Sequence, residues 1–95
     1  MEIIISDHAT IEIKRRQIPL STIEAVLANP QQIIPSRPGR QIYQSIIEIN
    51  NKPYLLRLIV DTGDPPILVT VYRTSKIQKY WREPWILPTT PALTF

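Results

Sequence analysis

Residues 41–74 read QIYQSIIEINNKPYLLRLIVDTGDPPILVTVYRT, and their period decides the fold. Gln41–Ile49 puts Tyr43, Ser45, Ile47 and Ile49 on one face, and Ile42, Gln44, Ile46 and Glu48 on the other. Tyr54–Asp61 puts Leu56, Leu58 and Val60 on one face, with Leu55, Arg57 and Ile59 opposite. Ile67–Thr74 sets Ile67, Val69 and Val71 against Leu68, Thr70, Tyr72 and Thr74. A repeat of two is the side-chain period of a strand. The segments between, Asn50–Pro53 and Thr62–Pro66, are short and made of turn formers. Short connections make consecutive strands antiparallel neighbours.

Working outward, Glu2–Ile5 suits a short strand, and Ser6-Asp7 suits a helix N-cap followed by an acid in the first turn. Asp7–Gln17 fits two readings: Ala9, Ile11 and Ile13 alternate as in a strand, while Ala9 and Ile13 with Arg16-Gln17 beyond fit a helix. Residues 21–29 predict a helix. Ser21 and Glu24 have capping-box spacing, Ile23, Val26 and Leu27 share a face, and Asn29-Pro30 stops the run. Ile33-Ile34 adds an edge strand before the loop Pro35–Arg40, and Ser75 caps a short helix through Trp81. Glu83–Phe95, with Pro84, Pro88 and Pro91, reads as an extended tail. The expected architecture is α+β, with helices packed on one face of a three- to four-stranded antiparallel sheet. Residues 1–82 form a single domain and 83–95 a proline-rich extension.

Composition narrows the chemistry. Ninety-five residues hold one core, and 43% hydrophobic with 20% charged is a globular rather than a disordered balance. With no cysteine there is no disulfide, thiol nucleophile or thiolate metal site. A single histidine and scattered acids give no metal-ligand spacing and no carboxylate pair, and two glycines give no phosphate-cradling loop. No cofactor is expected. The run Ile3–Ile5 is too short for a signal peptide, and no stretch is long enough to span a membrane, so a cytoplasmic protein is expected.

The net charge of +3 is uneven. Residues 1–69 carry seven Lys/Arg and seven Asp/Glu, whereas 70–82 carry Arg73, Lys76, Lys79 and Arg82 and no acid. Tyr72, Tyr80 and Trp81 share that stretch. Cations among aromatic rings suit phosphates and stacked bases, and also suit a solvated face with ordinary core aromatics. Gln44, Arg57, Thr70, Tyr72 and Thr74 mark one sheet face as either solvated or a ligand platform. Metal-free RNA cleavage needs a group to move protons and cations to offset charge at phosphorus. His8 or Tyr72 supplies the first and Arg or Lys the second. His8 also fits a histidine tied to a backbone carbonyl. A non-catalytic module binding RNA or protein uses the same face.

Several motifs together resemble a known family: SDHA at 6–9, Arg16 and Ile18, RPGR at 37–40 with Tyr43, LLRLIVD at 55–61 and VTVYRTSKIQKYW at 69–81. They are similar to a small bacterial domain-of-unknown-function family with SxHA…RxI at its start and VxTVYxTSK…YW at its end, over about residues 5–82. That family has been grouped with the RelE/ParE-like, or BECR-fold, ribonuclease toxins. The resemblance selects helix for residues 7–17 and implies N-terminal helices on a curved antiparallel sheet. It further implies a metal-independent endoribonuclease acting on RNA, ribosome-associated mRNA included, and a small cognate antitoxin as partner. Apart from the resemblance, a strand edge at Ile46-Ile47 and the apolar Trp85 and Phe95 of the tail suit a homodimer or an antitoxin contact, and Trp85 also suits a cover for the sheet edge. Position by position the resemblance implies His8, Arg57, Tyr72 and Lys76 as the catalytic set and Arg37, Arg40 and Thr74 as RNA contacts, to which the charged run of residues 70–82 adds Arg73, Lys79 and Arg82. The chain departs from the pattern at Glu12, where the family often has arginine.

Overall fold

The fold comes from a computed structural model, which describes residues 3–82. In chain order the elements are β1 (Ile4–Ile5), α1 (Asp7–Arg15), α2 (Leu20–Ala28), β2 (Gln32–Arg37), β3 (Arg40–Ile49), β4 (Lys52–Asp61), β5 (Ile67–Thr74) and α3 (Ile77–Tyr80). The class is α+β. The five strands lie in the order β1-β5-β4-β3-β2, so the sheet is larger than the expected three or four strands. It is also mixed: β2 to β5 form an antiparallel meander, while β1 joins β5 in parallel through Ile4↔Ile67 and Ile5↔Leu68. Two residues are too few to carry a period, and their partner lies far along the chain, so the sequence gives no sign of this pairing.

Turn chemistry sets the register. Asn50 and Asn51 both take positive φ (53° and 64°), the geometry of a two-residue hairpin loop whose twist matches its strands. Ile49 therefore faces Lys52, and β4 begins two residues earlier than its alternation suggests. Pro53 is tolerated because β5 pairs with β4 only as far as Leu55, so no ladder donor is needed on that side. Pro35 lies within the edge strand β2, beside a register shift, and the strand runs on to Arg37 where a loop is expected. Gly39, at φ 79°, closes that hairpin.

Both N-terminal helices pack on one sheet face. Ala9, Ile13, Ile18, Ile23 and Val26 form one core with Leu56, Leu58, Val60, Leu68 and Val71. Helix α1 ends in a Schellman arrangement. Gln17, at φ 56°, donates its N–H to the Lys14 carbonyl, and Ile18 donates to that of Ile13. Helix α2 starts at Leu20, capped by the Pro19 carbonyl, which accepts from the Thr22 and Ile23 amides. Ser21 is thus inside the helix, and the expected Ser21/Glu24 capping box does not form. The buried Ile18 and the fixed φ of Pro19 place the helix start one residue earlier. Glu12 is buried on α1 beside Arg15 and Arg16 (3.2 and 3.0 Å). Burial raises its carboxyl, but hydrogen bonds and charge from both arginines outweigh this and hold it below the ordinary value of 4.5.

The alternation of β5 fails at one point. Ile59 faces Thr70 but Val60 faces Leu68, so Val69 is an extra, bulged residue. Leu68 is therefore turned into the helix-side core beside Val71, and Ile67 is left 37% exposed, contrary to the face assignment made from a period of two. Ser6 ties this bulge to α1: its hydroxyl donates to the Val69 carbonyl and accepts from the Ala9 amide, both at 3.0 Å. Replacing Ser6 with alanine removes a cap and a tertiary hydrogen bond together. The expected loss is about 1–2 kcal/mol, read as a lower urea midpoint at unchanged m; an unchanged midpoint excludes this role.

Candidate functional site

On the face away from α1 and α2, four strands place polar side chains in one row. Gln32 of β2 faces Gln44 of β3, Gln44 faces Arg57 of β4, and Arg57 faces Tyr72 of β5. Arg57 has only donors, which fixes the direction of every bond in the row. Its Nε donates to Gln44 Oε1 at 2.9 Å and its Nη1 to Tyr72 Oη at 2.5 Å. With its oxygen engaged by Arg57, Gln44 turns its amide nitrogen outward, donating to Gln32 Oε1 (2.7 Å) and to the Tyr80 carbonyl (3.2 Å). Gln32 in turn accepts from the Arg82 amide (3.1 Å) and donates to the Arg82 carbonyl.

Helix α3 lies over this row, so the expectation of helices on one face only is corrected by the last of the three. The Tyr80 ring sits over the Arg57 guanidinium at 4.4 Å and meets Tyr72 edge-on at 6.4 Å, with Arg57 also 5.6 Å from the Tyr72 ring centre. This cover leaves Gln44 fully buried and Arg57 only 7% exposed. No carboxylate pairs with Arg57 among the described residues. Its buried charge rests on an amide oxygen, a phenol oxygen and an aromatic face, the combination that makes a buried cation tolerable without an ion pair.

Of the sequence-predicted catalytic set, Arg57 and Tyr72 are in contact. Lys76 is exposed at the start of α3, where its amide bonds to Thr74 Oγ1 (3.1 Å). The helix begins at Ile77 with no side-chain cap, so Ser75 does not play the capping role expected of it. His8 is not brought to the site. It is exposed on α1, which packs on the opposite sheet face, because Val71 faces the helices and its neighbour Tyr72 must then face away.

The RNA-contacting set divides likewise. Lys79 lies 5.3 Å from the Tyr80 ring centre, and Arg82 is exposed where its backbone meets Gln32. Thr74 ends β5, on the Tyr72 face by alternation. Arg73 falls on the helix-side face by alternation and stacks on Tyr54. Arg37 and Arg40 sit at the β2–β3 hairpin, four residues along β4 from Arg57, about 13 Å away. Arg40 is engaged by Asp61 at 2.7 Å. That hydrogen bond raises Arg40 and lowers Asp61 from its ordinary 3.8, with Arg37 adding to the lowering. Glu12 takes a structural place in the helix layer, remote from the row. Two participants escaped the sequence reading: Gln32, recognisable only once its register with Gln44 is known, and Tyr80, whose place depends on which face α3 covers. Among the described residues no three His, Asp or Glu side chains cluster as metal ligands, and no helix is long and apolar enough to cross a membrane. The reading of 83–95 as a tail lies outside the described residues.

Gln44→Leu keeps the volume but strands Arg57 Nε and the Tyr80 carbonyl. The expected cost is about 2–3 kcal/mol, measured by urea unfolding; a loss below about 0.5 kcal/mol shows that the row is not cooperative. Acid should act through Glu12 and Asp61. Both carboxyls are lowered in the folded state, so their stabilisation is complete above the unfolded values of 4.5 and 3.8 and is lost as pH falls through the lower folded values. Glu12→Gln should be less stable than the parent at neutral pH, and the two melting temperatures should converge as pH falls to about 3. A gap that persists assigns Glu12's contribution to packing.

A family model described as a domain of unknown function, DUF4258, matches residues 5–73, from the end of β1 to the penultimate residue of β5. No curated protein and no solved structure matches.

Proposed function

This chain belongs to that DUF4258 family, and we propose that it is a toxin-like, metal-independent endoribonuclease whose site is the Arg57–Tyr72 pair on the sheet face covered by α3. The observation that carries the reading is a buried guanidinium with no carboxylate among the described residues, in contact with a phenol. Such a cation suits an anion that comes from outside, and a phosphodiester is the anion that Lys76, Lys79 and Arg82, on or next to α3, also suit. In this role Arg57 and Lys76 offset charge gathering on the phosphate oxygens. Tyr72 Oη accepts from Arg57, so its own hydrogen is the one it has to give. The RNA 2′-oxygen bonds to phosphorus and the bond from phosphorus to the 5′-oxygen breaks. The 2′ proton passes to water, and Tyr72 protonates the departing oxygen and regains its proton from solvent.

The likeness to RelE/ParE-like folds belongs to the same proposal. It is supported by helices on one face of an antiparallel meander and a face bearing Arg, Tyr and Lys on the other. So do its partners: mRNA, free or on the ribosome, and a small cognate antitoxin, in the cytoplasm. His8 has no part in this version of the site.

One observation favours a second reading, a non-catalytic RNA- or protein-binding module of the same fold. Tyr80 stacks on Arg57 and leaves it 7% exposed, so a ligand meets the rings before the guanidinium. Incubating the full chain with mRNA, with and without ribosomes and in EDTA, separates the two. The nuclease reading expects cleavage that survives EDTA and falls about 10²–10⁴-fold in Tyr72→Phe, with RNA binding retained. Binding with intact RNA selects the module, and absence of both overturns the RNA assignment.

A further inference from the structure

A second site lies on the helix-side face, at the β3–β4 hairpin end of the sheet. A pocket of about 360 Å³ is lined by Gln17, Ile49, Asn50, Lys52, Tyr54 and Arg73. Its centre is the Tyr54 ring, which has the Arg73 guanidinium at 4.7 Å and the Lys52 ammonium at 5.6 Å from its centroid. The strand period explains the grouping. Lys52 and Tyr54 are two apart on β4, and Arg73 lies opposite Leu56 on β5, so all three point to one face. No acidic side chain lines the pocket, and neither cation makes an ion pair among the described residues. One ring therefore carries both cations, and both border the same pocket.

We propose that this pocket binds a phosphomonoester, with Arg73 supplying a two-pronged grip and Lys52 a point charge. The amides of Asn50 and Gln17 are placed to hydrogen-bond what the phosphate carries, and the volume suits a ligand of nucleotide size. A free mononucleotide and the terminal phosphate of an oligoribonucleotide are two sources of the same group. The site is separate from the Arg57–Tyr72 pair, and its existence does not rest on ribonuclease activity.

The test is an amide-resolved NMR titration of the full chain with inorganic phosphate, then adenosine 5′-monophosphate, then one oligoribonucleotide with a 5′-phosphate or a 5′-hydroxyl. Saturable shifts are expected at Gln17, Asn50, Lys52 and Tyr54 with inorganic phosphate, whether or not Arg57 and Tyr72 also shift. Arg73→Gln should weaken binding about tenfold. Lys52→Gln, at an exposed position that leaves the fold intact, should weaken it several-fold, and the remote control Lys14→Gln should not. Tighter binding of the mononucleotide identifies the free-ligand source, and dependence on the 5′-phosphate of the oligonucleotide identifies the strand end; either supports the site. Shifts confined to Arg57 and Tyr72, shifts spread over every lysine and arginine, or shifts indifferent to both pocket variants overturn it. The first of these leaves the ribonuclease reading standing.

Discussion

The Arg57 guanidinium is the group around which the second face of the sheet is arranged. A charge that is 7% exposed with no acid beside it among the described residues requires its donors to be met by neutral oxygens and its face to be covered. Since arginine only donates, Gln44 must present oxygen to it, and so has only nitrogen to offer Gln32 and Tyr80. One ionic group thereby fixes the orientation of two side-chain amides and anchors residues 80–82. The register of three ladders serves the same row: a slip of one residue in any strand turns its member to the other face.

Much of this was legible in the sequence. The period of two across 41–74 shows the three long strands, and the polar residues that interrupt their apolar alternation mark Gln44, Arg57 and Tyr72 as one face, which the ladder registers bear out. What escaped are features that depend on partners. The bulge at Val69 follows from a mismatch between two strands and leaves no mark on one strand's alternation, so Leu68 and Ile67 were assigned to each other's faces. The parallel β1 is two residues long, and Ser6 earns its second hydrogen bond only because the bulge exposes a carbonyl near the start of α1.

The same dependence explains the capping signals. Ser6 caps as its residue type suggests, because the chain before it is held extended by pairing with β5. Ser21 and Ser75 have the same chemistry and do not cap, since the starts of their helices are fixed otherwise: by Pro19 beside the buried Ile18, and by the turn in which Thr74 bonds the Lys76 amide. A capping residue proposes a helix start, and the packing of its flanks decides among the proposals.

The concentration of positive charge in residues 70–82 looks like a single patch in one dimension, and the strand period divides it. Tyr72 and Arg73 are adjacent in sequence and face opposite ways, so Arg73 leaves the Arg57 face and joins Lys52, which lies outside the charged run altogether. Arg40 is removed from the count of available cations by Asp61. Arg57 on one face and Arg73 with Lys52 on the other, none of them in an ion pair among the described residues, each have a tyrosine ring beside them: Tyr80 for Arg57, and Tyr54 for Arg73 and Lys52. A sheet cannot be bridged through its middle, so no single phosphate serves both. A polyanion touching both faces has to pass an edge. The nearer one is β5, where β1 pairs only with Ile67 and Leu68, and Val69–Thr74 has no strand beyond it among the described residues.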